Sequence, residues 1–96
     1  MKCCLGLLTL ELFFESSHSL KERRSILLSA KEKIRQRFNV SVVEASMGDL
    51  WQRGGLLISC AASTQGAVEQ IFGQVISFLE NDPRLQIVSP QIRYYE

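Results

Sequence analysis

Cysteine, histidine, proline and long apolar runs are all scarce in this chain, and each scarcity closes a route. There are three cysteines, Cys3, Cys4 and Cys60, an odd number with two of them adjacent. That is not a secreted disulfide framework. It also lacks the two-to-four-residue spacing of metal-ligating cysteines, and His18 is the only histidine, so no metal is expected. The thiols read as buried structural side chains of a protein in the reducing cytoplasm. Only Pro83 and Pro90 occur, without any Pro/Gly/Ser-rich linker or internal repeat, so residues 1–96 are expected to form one domain. The one extended apolar stretch, MKCCLGLLTLELFF, is broken by Glu11. It falls short of the roughly 20 residues that cross a bilayer. With Lys2 ahead of it, the stretch could pass for a signal peptide, but no small-residue cleavage site follows and its loss would delete a strand.

Catalytic pairs are missing too. Glu11, Glu15, Glu44 and Asp49 are scattered. In Ser17-His18-Ser19 a nucleophile and base would be chain neighbours, which rarely face each other, and no third orienting group is evident. No cofactor is expected. An enzymatic role stays uncertain, and the residues lean against it.

What the chain does have is charge asymmetry. Residues 19–38, SLKERRSILLSAKEKIRQRF, hold seven of the eleven basic residues against two acidic ones, although the whole chain is only +1. A chain so polarised can present one anion-seeking face without being basic overall. The same stretch reads as an amphipathic helix. Ser19 and Glu22 form a capping box, in which the serine oxygen takes the Glu22 amide and Glu22 reaches back. Leu20, Leu27, Ala30, Ile34 and Phe38 share a face, and Asn39 ends the run. Lys33 and Arg37 lie to one side of the apolar stripe and Lys21 and Arg35 to the other, with Arg23, Arg24 and Lys31 at its margins.

Around it the chain alternates. Residues 2–14 form a long strand, with Cys4, Gly6, Leu8, Leu10, Leu12 and Phe14 on one face. Residues 40–45 form a short β-branched strand, and 55–62 a strongly apolar one. Ser63 or Thr64 caps a second helix, with Val68, Ile71, Phe72, Val75 and Leu79 as its core stripe. Residues 85–95 close the chain as a strand that contains Pro90. The order β-α-β-β-α-β predicts an α+β, ferredoxin-like sandwich: a four-stranded antiparallel sheet of order 4-1-3-2 with two helices on one face. The two most apolar strands, first and third, would be central. Pro90 suits an edge.

Helices on one face leave the other open. Leu5, Leu7, Leu57 and Val43 would lie there, an apolar patch suited to homodimerisation, with a ligand groove or coverage by the C-terminal tail as the alternatives. The open face does not suit base stacking of the RNA-recognition kind, since residues 55–62 contain no aromatic. Trp51, next to Gln52 and Arg53, is either a packing anchor or a stacking hot spot.

Three runs, SLKERR at 19–24, FNVSVVE at 38–44 and DLWQR at 49–53, resemble in order and spacing the signature runs of the YlxP-like bacterial family, domain-of-unknown-function family 503. The resemblance implies a cytoplasmic bacterial protein with a ferredoxin-like fold and no established activity. Its members often sit near translation and ribosome-maturation genes. Arg23 departs from the lysine common there. The expectation is therefore a non-enzymatic RNA- or ribosome-associated homodimer. Lys21, Arg23, Arg24, Lys31, Lys33, Arg35 and Arg37 would meet phosphates, and Trp51 and Arg53 would add contacts. The alternative is a small-molecule-binding or regulatory dimeric module. An acylphosphatase has this topology, but its arginine-bearing glycine-rich loop has no counterpart between Phe14 and Ser19.

Overall fold

The computed structural model describes residues 1–15, 17–45 and 52–96. The elements are β1 (Cys4–Phe13), α1 (Leu20–Arg37), β2 (Ser41–Ala45), β3 (Arg53–Ala62), α2 (Gln65–Glu80) and β4 (Gln86–Tyr95). All strand pairs are antiparallel and the order is β2-β3-β1-β4, which read from the other edge is the expected 4-1-3-2. Both helices lie on one face, α1 over β2 and β3, α2 over β1, β3 and β4. This is the ferredoxin-like α+β arrangement.

The period-two pattern of β1 explains the core. Cys4, Leu8, Leu10, Leu12 and the following Phe14 are buried and point to the helices, joined from β3 by Leu56, Ile58 and Cys60. Helix α2 adds Val68, Phe72, Val75 and Leu79, and α1 adds Leu27, Ala30 and Ile34. Burying each large side chain of this set stabilises by about 1.5–3 kcal/mol. Of the expected stripes, Leu20, Phe38 and Ile71 are only half-buried. Each helix packs side chains against a strand glycine. A Cβ at Gly6 would overlap Val68 and lie 2.7 Å from Phe72, and one at Gly54 would lie 2.8 Å from Leu27.

Element ends moved slightly. Helix α1 stops at Arg37, with Phe38 as C-cap, whose amide donates to the Ile34 carbonyl at 2.9 Å; the chain leaves the helix before Asn39. Strand β3 begins two residues earlier than expected, at Arg53. Thr64, not Ser63, caps α2, its hydroxyl accepting from the Ala67 amide at 3.1 Å. Pro90 lies on the edge strand β4 as expected, opposite Leu10, close to a bulge where Ser89 faces Glu11 but Ile87 faces Leu12. No helix among the described residues is long and apolar enough to cross a membrane.

Candidate functional site

The start of α1 is held more firmly than a capping box alone would hold it. The Ser19 hydroxyl accepts from the Glu22 amide at 3.1 Å. The Glu22 carboxylate reaches past Ser19 and accepts from the His18 amide at 2.8 Å. Ser17 is fully buried and its hydroxyl donates to the Ser19 carbonyl at 3.1 Å. Three further bonds tie this corner to the start of β3. The Phe14 amide donates to the Gln52 carbonyl at 2.9 Å, Gln52 Nε2 donates to the Glu15 carbonyl at 3.2 Å, and Arg23 Nη1 donates to the Arg53 carbonyl at 3.2 Å. The Gln52–Arg53 main chain therefore does lie beside the first turns of α1. Arg23 is half-buried and spends one guanidinium nitrogen on this tie. Trp51, Asp49 and Ser16 lie outside the described residues.

The remaining cations of α1 divide between two sides. At about 100° per residue, Lys21, Arg24, Lys31 and Arg35 fall on one line with the exposed Leu28 between them. The line is about 21 Å long at 1.5 Å per residue. It runs along the β2 side: Arg24 and Leu28 share a hollow with Glu44 and Ala45. Arg35 pairs with Glu32 at 3.2 Å, an exposed contact that contributes little to stability. Among the described residues no ion pair engages Lys21, Arg24 or Lys31. Lys33 and Arg37 point the other way, toward α2, where the Arg37 guanidinium lies 4.7 Å from the Phe78 ring centre.

Arg53 belongs to neither group. Its side chain is on the open face of the sheet, where Nη1 pairs with Glu11 Oε1 at 3.1 Å and the guanidinium lies 5.3 Å from the Phe13 ring centre. It cannot extend the cation line of α1 on the opposite face. The same open face presents Leu5, Val43 and Tyr95, 46%, 54% and 51% exposed, with Leu7 and Leu57 half-buried between them. Cys4 and Cys60 are buried thiols, and burial pushes both up from the usual thiol range; Cys3 is exposed. Among the described residues no three His, Cys, Asp or Glu side chains gather as a metal site.

The family model described as "Protein of unknown function (DUF503)" matches residues 5–92. The chain belongs to this family. It is 28% identical over 82 residues to the uncharacterized protein YlxP of Bacillus subtilis strain 168, a match covering 85% of this chain and 89% of that one. The de novo designed protein Foldit4 superposes with a TM-score of 0.56 at 9% identity, covering 99% of this chain and 98% of that one, a likeness of fold alone.

In this DUF503 chain the structure also brings forward residues the sequence did not single out. Arg84 and Asp82 form a bidentate pair, Nε to Oδ1 at 3.0 Å and Nη2 to Oδ2 at 2.8 Å, and Arg84 Nη2 also donates to Ser29 Oγ at 3.3 Å. Hydrogen bonds from Arg84 hold the Asp82 carboxyl below the usual carboxylate range, and those to Asp82 hold the Arg84 guanidinium above its own. An Asp two residues before an Arg, just past a helix stop, was the available signal.

Proposed function

We propose that this DUF503 protein is a non-enzymatic RNA- or ribosome-associated binding module of one domain, working in the cytoplasm as a homodimer. The outward line of Lys21, Arg24, Lys31 and Arg35 on α1 supports this reading. Four cations on about 21 Å of rigid helix can track successive phosphates, with the ordering cost on binding confined to their side chains because the backbone is already fixed. Neutralising phosphates releases counterions, so affinity depends on salt rather than on base sequence. Glu44 at the edge of the line limits its N-terminal half on the β2 side.

The open sheet face supports the dimer. A face about 30 Å long and about 15 Å wide presents roughly 450 Å² before side-chain relief is counted; a stable interface starts at about 600 Å² per partner, so the relief of Leu5, Val43 and Tyr95 has to supply the rest. Stacking two such faces would leave both cation lines outward, on opposite sides of an α-β-β-α sandwich.

The test is RNA binding against salt. With four phosphate contacts, log affinity for a structured RNA falls with log salt at a slope of about −3 to −4. Substituting Lys21→Ala with Arg24→Ala removes about half of that slope and leaves unfolding unchanged. Absent or salt-insensitive binding to RNA and ribosomes sinks the reading. The alternative, a small-molecule or regulatory dimer, instead requires a metabolite that raises the unfolding temperature in the absence of RNA.

A further inference from the structure

Lys33 and Arg37, the cations that leave the outward line, converge on a different feature. They form one wall of a cleft of about 780 Å³ between the C-terminal half of α1 and the end of α2. Its other wall carries Phe78, Asn81 and Arg84, over a floor of Ala30 and Leu79, both buried. Its volume falls within the range of small-molecule sites, and so does its make-up: an apolar base with a few convergent polar groups.

The electrostatics decide what it takes. Asp82 is already engaged, accepting from Arg84 Nε at 3.0 Å, Arg84 Nη2 at 2.8 Å and the Arg84 amide at 2.9 Å. The end of α2 is a C-terminus with no basic residue in its last turn, and contributes roughly half a negative charge. Helix α1 ends at Arg37 and contributes a like half charge there, and Lys33 lies near enough to Asp82 to help hold its carboxyl down. With Arg84 and Asp82 offsetting each other, Lys33 and Arg37 stay as two cations against about one negative charge. Arg37 is positioned over Phe78 at 4.7 Å, and Phe78 meets Phe38 edge-on at 6.3 Å. One end of the cleft is thus cationic and the base beneath it apolar and aromatic.

We infer that this cleft binds a small organic phosphate, its phosphoryl group held by Lys33 and Arg37 and its compact apolar or ring-bearing body set against Phe78, on the ring surface that the Arg37 guanidinium covers in the free protein and gives up on turning to the phosphoryl group. The site is independent of RNA binding, since it uses the side of α1 turned toward α2.

Titrating ¹⁵N-labelled protein with phenyl phosphate, and separately with inorganic phosphate and with phenol, tests this. Saturable amide shifts are expected at Ala30, Lys33, Arg37 and from Phe78 to Arg84, with phenyl phosphate binding about tenfold more tightly than either fragment. The variant Lys33→Gln with Arg37→Gln weakens phenyl phosphate about tenfold or more. Phe78→Leu brings it down to the level of inorganic phosphate. The same spectra report whether each variant is folded. Shifts gathered instead on Lys21 to Arg24, no saturable shift, equal binding by the double variant, or equal binding of either fragment overturns the inference.

Discussion

Helix α2 buries Val68, Phe72, Val75 and Leu79 within sixteen residues and carries only Glu69 and Glu80 as charges. Helix α1 buries Leu27, Ala30 and Ile34 within eighteen residues and carries nine charged side chains. Both cover the same sheet face, yet they are attached differently. The contact of α2 is broad and apolar, over β1, β3 and β4. The stripe of α1 is thinner, and polar ties at its first turn, through Ser19, Glu22 and Arg23, supplement it. The fold needs little from the outward side of α1, so that side can hold a run of cations without loss of packing.

The sharpest way to break this contrast is to cut the core on each side. Phe72→Ala is expected to cost about 3–5 kcal/mol, at or above the cost of Ile34→Ala, which lies in the range of about 2–5 kcal/mol. Denaturant unfolding of the two variants measures both, and a larger loss for Ile34→Ala would overturn the idea that α2 is the firmer anchor. Caps come next. Ser19→Ala, which removes the acceptor of the Glu22 amide in a corner bonded to β3, should cost about 1–2 kcal/mol, and Thr64→Ala about 0.5–1 kcal/mol. Hydrogen exchange of the first-turn amides would show whether the Ser19 loss stays local to α1. The smallest effect concerns pH at the end of α2. Arg84 holds the folded Asp82 carboxyl below its usual range, so the folded state binds that proton more weakly than the unfolded chain. The pair's contribution is complete above the unfolded carboxylate value of about 4 and is lost as pH falls from there through the folded value. Asp82→Asn should therefore flatten the dependence of unfolding temperature on pH below about 4, and an unchanged acid slope would show that the pair contributes nothing there.

Most of the fold was legible from spacing. Alternation in residues 4–14 names the buried face of β1 residue by residue, because a one-residue slip would turn Leu8, Leu10 and Leu12 to solvent. Pro90 marked an edge because it has no amide to give a central ladder. The candidate site was less legible. Helical spacing separates Lys33 and Arg37 from Lys21 and Arg35, but it cannot say that α2 stands on the first side and β2 on the second. Arg53 looked like a neighbour of the basic helix because its chain segment is one. Its carbonyl does take a bond from Arg23, while strand alternation sends its side chain to the far face, the one Leu57 occupies; the parity was readable, but not that β3 starts as early as Arg53. Glu22 capping His18 in place of Ser19 is likewise a matter of side-chain reach, which spacing leaves open.

The bulge at Val88 and the neighbouring Pro90 have a consequence for growth of the sheet. An incoming strand that lay along β4 would meet a kink and a missing donor halfway. The other edge, β2, is five residues long. Neither border can template a long, straight ladder, so association through the edges would not propagate into filaments. The pairing proposed through the broad open face would close after two copies, since each copy has one such face. Short and kinked edges of this kind let a protein reach high local concentration without the crowding turning into fibres.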